Sequence, residues 1–163
     1  MYKNAFGFLV LCVGLCVLGC GGDSSACTEG QFLCDDMCID ECGVDEVECD
    51  CVCIPEIEPV LADIQASVFD ISCTASSCHG GPNPREMLDL STAELSEATL
   101  IDVPSNQVAK DRVTPGDVSA SYLYNKLTGQ DIAQGTDPMP QLGFPLCEAK
   151  ISAVETWIAA GAP

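Results

Sequence analysis

The chain has 163 residues, 13 of them Cys and one His, and its 25 acidic against 6 basic side chains give a net charge of −19. So few cations exclude nucleic acid and an anionic membrane surface as direct electrostatic partners, because phosphate contacts need Lys and Arg. One imidazole excludes any site built on two, including a two-His zinc centre and a bis-His haem. Thirteen Cys is far above cytosolic usage and points to an oxidising compartment.

The first element is a targeting segment. Lys3 supplies a positive start, and Ala5 to Leu18 form an apolar run too short for a membrane span and suited to a signal peptide. The run ends in Val17-Leu18-Gly19-Cys20, which resembles a bacterial lipobox. Residues 1–19 are therefore expected to be removed and Cys20 to become the lipidated first residue. Gly21-Gly22-Asp23-Ser24-Ser25 would follow as a tether. The resemblance implies an exported protein of the bacterial cell envelope, held by a lipid anchor. No Asp follows Cys20 directly, which favours the outer membrane, facing the periplasm or the cell surface.

Residues 20–59 hold 12 acids, no base, and Cys27, Cys34, Cys38, Cys42, Cys49, Cys51 and Cys53 after Cys20. Large apolar residues are too few for an independent core, so cross-linking is the expected stabiliser of a small, irregular Cys-rich module. Metal binding through Cys38-x3-Cys42 or Cys49-x-Cys51-x-Cys53 is the alternative, but neither has the paired two-residue spacing of structural zinc sites.

Residues 60–163 carry 13 acids, 5 bases and only Cys73, Cys78 and Cys147, enough chain for a core of their own. Leu61, Ile64, Val68 and Ile71 recur on one face of a helix running into Cys73. Ser91-Thr92-Ala93-Glu94 reads as a capping box for a helix over 92–101. Asp117 or Ser119 is expected to cap a helix that ends at Gly129. Asp137-Pro138-Met139-Pro140 cannot be helical. A last helix begins near Glu148, with Ile151, Val154 and Ile158 on its face, Trp157 beside them, and Gly161 at its end. With long Gly/Pro-rich connections and no convincing alternating pattern, the expected fold class is mostly α, its loops wrapped around a ligand.

The chemistry concentrates at Cys73-Thr-Ala-Ser-Ser-Cys78-His79, followed by Gly80-Gly81-Pro82. Two thiols and an imidazole in one short loop resemble c-type haem attachment. There the thiols hold the macrocycle through thioethers and the imidazole ligates iron. The spacer here has four residues where the usual motif has two. A Cys73–Cys78 loop disulfide with a bystander His, or a Cys78–Cys147 staple, accounts for the same residues without haem. A sixth iron ligand, with no second His, would be a thioether. Met37 lies in the Cys-rich module and Met87 reads as core-facing. Met139, held between two prolines, is the better-presented sulfur.

The order of helix, C-x4-C-H, loop, helix, P-G-D-x-x-x-S-Y-L, M-P and W-I-A-A-G-A resembles the single-domain His/Met cytochrome c family. More narrowly, it is similar to haem-binding lipoprotein domains of some environmental bacteria. The resemblance covers residues 64–162. It implies a small cytochrome c-like helical domain holding one haem c on Cys73 and Cys78, with His79 and Met139 as axial ligands and Trp157 and Ile158 packing the closing helix. It further implies one-electron transfer rather than catalysis, with a redox partner protein; the acidic charge of the chain either steers a basic-surfaced partner or serves only solubility on a crowded envelope. Cys147 stands where the family has a Ser or similar cap. Seven module cysteines are an odd number, so if Cys73 and Cys78 carry haem, Cys147 is left to cross-link the module. The alternatives are a disulfide-stabilised lipoprotein that binds a partner without haem, and an enzyme with an open site beside His79.

Overall fold

The computed structural model describes residues 31–34 and 37–163. The expectations for the signal peptide, the lipid-bearing Cys20 and Cys27 fall outside the described residues. No helix among the described residues is long and apolar enough to cross a membrane.

The Cys-rich module folds as two antiparallel ribbons. β1 (Gln31–Cys34) pairs with β2 (Met37–Asp40), and β3 (Glu46–Cys49) pairs with β4 (Val52–Pro55). The second ribbon turns on Asp50 and Cys51, with φ of 53° and 66°, opposite the Cys49–Val52 pair. Positive φ at both positions of a two-residue loop matches the twist of the flanking strands. The Glu48 carboxylate accepts the Cys51 N–H at 2.7 Å inside that turn. Isolated two-stranded ribbons are marginal in water, and covalent staples hold these. Cys34–Cys51 ties one ribbon to the other, Cys42–Cys53 closes the intervening loop, and Cys38 is disulfide-bonded as well.

The remaining elements are α1 (Leu61–Ile64), a π turn (Gln65–Phe69) and α2 (Asp70–Ser72), which run on without a break. A 3-10 turn (Arg85–Met87), α3 (Ala93–Leu100), α4 (Tyr122–Thr128) and α5 (Glu148–Ala159) follow. α5 packs on α4, α1 and β3, and α3 on α1. Their contact surface is the core, with Ile64, Val68, Phe69, Leu100, Val154 and Trp157 fully buried and Ile57 of the module reaching into it. A polar tie crosses that core: Gln65 Nε2 donates to the Leu90 carbonyl at 2.8 Å, and Ser96 Oγ donates to Gln65 Oε1 at 2.7 Å.

Several expectations are corrected here. The fold class is not mostly α: helix makes up 33% of the structure and strand 16%, with two small sheets and several disulfides. It is not plainly a cytochrome c-like helical domain. The module expected to be irregular is where the sheets form, and in the expected helical domain isolated bridges join Ile101 to Val113 and Asp111 to Ser121. Ile71 is 69% exposed, because the π turn inserts a residue into the helix and rotates Phe69 inward in its place. Met87 is 73% exposed rather than core-facing, at the end of a turn with positive φ at both Glu86 and Met87.

The helix expected from Asp117 starts only at Tyr122. Ser121 is fully buried and its hydroxyl is committed sideways, accepting from the Thr114 N–H at 2.9 Å and donating to the Asp117 carbonyl at 2.8 Å. Thr92, not Ser91, caps α3, accepting the Leu95 N–H at 3.3 Å.

Candidate functional site

The segment after α2 is folded by its own backbone into a closed loop. Cys73 N–H still donates to Phe69 in the helical manner, at 2.8 Å. Cys78 N–H then donates to Ala75 O at 2.7 Å, and His79 N–H returns to Cys73 O at 3.0 Å. The return bond brings the ends of the four-residue spacer together. Gly80 is required behind it: a Cβ there would lie 2.2 Å from the Thr74 carbonyl oxygen.

His79 is pinned at three points. Besides the bond to Cys73, its carbonyl accepts Leu90 N–H at 2.8 Å, and its ring Nδ1 lies 3.2 Å from the Leu88 carbonyl oxygen. A carbonyl only accepts, so Nδ1 carries the proton and Nε2 is left with the lone pair. This is the second-shell arrangement that fixes the tautomer of metal-ligating histidines. Burial holds the imidazole below its ordinary pKa, and the charges of Arg112 and Arg85 add to this, against the opposing pull of the Leu88 and Arg85 carbonyls. The ring is neutral at pH 7.

His79 lines a cavity of about 90 Å³, well below the roughly 300–1,000 Å³ usual for ligand pockets. Leu88, Leu90, Leu100, Leu123 and Leu127 supply most of its apolar wall. Cys73 and Met139 line it too, so three of the four expected haem-site residues meet here, whereas Cys78 is not part of the wall. Met139 is placed by its N–H, which donates to Lys126 O at the end of α4, at 2.8 Å.

Cys73 and Cys78 are free, while every other described cysteine is disulfide-bonded. Burial, helped by the neighbouring Cys78, pushes the Cys73 thiol up to about 12, and Lys150 offsets this in part. Cys73 is therefore a protonated thiol at neutral pH. Cys147 is bonded to Cys49, 98 residues away.

Two clusters have the composition of metal sites: Cys34 with Glu48 and Cys51, and Cys49 with Asp50 and Cys147. In both, the two sulfurs are joined to each other, and a disulfide has no thiolate to offer a metal.

Two further wall residues escaped the sequence reading, Arg112 and Lys126. Their signal was scarcity, since a chain with 6 basic residues has few cations to place.

The neutral His79 ring makes a pH prediction. A base whose pKa is depressed by folding takes up its proton first in the unfolded chain. Stability is full above the unfolded value of 6.5 and falls as the pH drops toward the folded one. Relief of acidic self-repulsion acts in the opposite direction, so the comparison is with His79→Gln. Between about pH 7 and pH 5 the parent should lose stability relative to that variant. Urea unfolding of both chains across that range checks it, and parallel curves would contradict it.

No family model, curated protein or solved structure matches the chain.

Proposed function

We propose that the chain is a lipid-anchored, exported c-type haem protein that carries one electron at a time. One observation carries the reading. The only two free thiols among the described residues share one loop with a histidine whose Nδ1–H is tied to a backbone carbonyl, at the edge of an apolar cavity that Cys73 and Met139 also line. Haem, when bound, supplies the one-electron couple.

The chain's own residues do the rest. Cys73 and Cys78 would hold the macrocycle covalently and keep it from leaving a small protein. His79 would offer Nε2 to the iron, with the Leu88 carbonyl keeping the ring from turning. Met139 would offer a thioether sulfur, and a His/Met pair would raise the potential. The leucines exclude water. The role read here is that of a carrier. The anchor is the lipid on Cys20, and the acidic surface steers a basic redox partner with a salt-dependent rate.

The haem-free alternative needs Cys78 paired with Cys73 or with Cys147. Cys147 is bonded to Cys49 instead, and both loop thiols are free, which favours the haem reading.

The test is expression of the chain from Cys20 with a cytochrome c maturation system, followed by a haem-stained denaturing gel and a reduced visible spectrum. Covalent haem is expected, and its absence would move the assignment to the haem-free binding module. Met139→Ala should then abolish the long-wavelength Met–Fe(III) band. A band that persists eliminates Met139.

A further inference from the structure

The Leu88 carbonyl that fixes the His79 ring lies one residue past a turn that burial does not hold. Glu86 and Met87 both have positive φ, 58° and 54°, and both are exposed. Non-glycine residues keep such a backbone only where their surroundings over-determine it. Arg85 N–H ties the start of the turn to Cys78 O at 2.8 Å. Its far end, from which Leu88 departs, is tied by a side chain. The Arg112 guanidinium is buried and donates to the carbonyls of Glu86 (2.5 Å) and Met87 (3.4 Å). A third bond runs to the Thr99 carbonyl in the last turn of α3, at 2.7 Å. Asn106 Nδ2 adds a second donor to Glu86 O at 3.2 Å. Burial disfavours the guanidinium charge, and the Glu86 carboxylate favours it.

Arg112 is itself anchored through its backbone. Its N–H donates to Val103 O at 2.8 Å, and its carbonyl accepts Leu123 N–H at 2.9 Å. The guanidinium therefore passes the position of these segments to the 86–87 carbonyls. The next carbonyl along the chain is Leu88 O, 3.2 Å from His79 Nδ1. We propose that Arg112 is a positioning residue for His79: its fork places the Leu88 carbonyl, and so decides which ring nitrogen carries the proton and which keeps the lone pair. A planar guanidinium suits this task because it holds several acceptors in one fixed arrangement, which a lysine ammonium on its flexible stem does not. A ring whose N–H is held by a carbonyl is also the more basic ligand through its other nitrogen. The use of Nε2 toward iron rests on the haem reading, whereas the placing of the ring stands apart from it.

The test uses the full mature chain without haem and follows the ring nitrogens of His79, the only imidazole present, by nitrogen-15 NMR at neutral pH. In the parent the ring is expected as the single Nδ1–H form, its proton exchanging slowly with solvent. Arg112→Gln should show both tautomers and speed that exchange at least about tenfold, equivalent to about 1.4 kcal/mol. Trp157 Nε1–H, which donates to Pro163 O at 3.0 Å, is the internal reference. Its exchange should change by less than about threefold. A merely structural role for Arg112 would speed both protons alike, and that result would overturn the proposal. A single, protected Nδ1–H in R112Q would overturn it too. Arg112→Lys keeps the charge but not the fork; it should lose the ring signal in the same way, and it decides the matter if R112Q does not fold. The variants are also passed through a cytochrome c maturation system. The loaded variant should have a more positive reduction potential than the parent, because a ring released from its carbonyl is a weaker base toward iron. Equal potentials would overturn the link from Arg112 to the iron ligand. A parent that takes up no haem would instead overturn the haem reading and leave the ring assignment standing.

Discussion

A chain with Cys73→Ser and Cys78→Ser is expected to emerge from a cytochrome c maturation host without covalent haem, yet folded like its parent. The loop that carries these residues is closed by backbone bonds, Cys78 N to Ala75 O and His79 N to Cys73 O, and neither uses a sulfur. Serine at position 73 keeps a donor near the Val68 carbonyl, which Cys73 Sγ meets at 3.9 Å. The fold should therefore change by no more than about 1 kcal/mol, the scale of one hydrogen bond. Each single variant retains one thioether and one unreacted vinyl group. Its haem should survive the denaturing gel but show a reduced spectrum shifted to longer wavelength. Covalent haem in the double variant would refute attachment at these positions.

The same pair of residues separates haem from the disulfide reading without any haem present. In the unloaded parent, peptide mapping under non-reducing conditions should find positions 73 and 78 alkylated as thiols and position 147 linked to 49. A half-buried thiol such as Cys73, with its pKa near 12, forms little thiolate at neutral pH, so it resists exchange into the surrounding disulfides. A Cys73–Cys78 bond in that map would return the loop to a structural role and leave His79 a bystander.

The parts of this site that share a stretch of sequence were legible in it. Cys73, Cys78 and His79 sit within seven residues, and the helix before them follows from the apolar period of Leu61, Ile64 and Val68. Met139 was singled out by the prolines on either side. What long-range folding supplies was not legible. The carbonyl that fixes the His79 tautomer belongs to Leu88, and backbone groups carry no sequence signature. Arg112 and Lys126 reach the cavity from a bridged loop and from α4, and a basic residue in an acidic chain reads as exposed until its burial is seen. The fold class failed for a local reason. Glu46-Val47-Glu48-Cys49 alternates, but over four residues only, and Asp50-Cys51 lacks the glycine or asparagine that marks a primed turn. Cysteine positions dictated by disulfide geometry overrode turn propensity, and the ribbons were hidden in what looked like an irregular knot.

Replacing Cys49 and Cys147 together with alanine should cost more stability than removing either other disulfide whose two partners are described, without touching haem attachment. The bond spans 98 residues, by far the widest of the three whose partners are both described. Cutting a loop of that size frees the unfolded chain, which lowers stability by about 4 kcal/mol on the chain-entropy account. Thermal unfolding should drop by roughly 10–20 °C. A loss below about 1 kcal/mol would mean that Ile57 and the packing of β3 on α5 hold the module without the staple. The cavity wall is drawn entirely from residues between Cys73 and Met139, with none from the ribbons or from α5. On the haem reading, the variant should therefore be loaded to the same extent as the parent. The Cys34–Cys51 and Cys42–Cys53 bonds stay intact, so the ribbons should keep their slow-exchanging amides even as they come away from α5. Haem loss on removal of this one bond would instead show that the stapled module supports the cavity through the core, a coupling that the wall residues alone do not reveal.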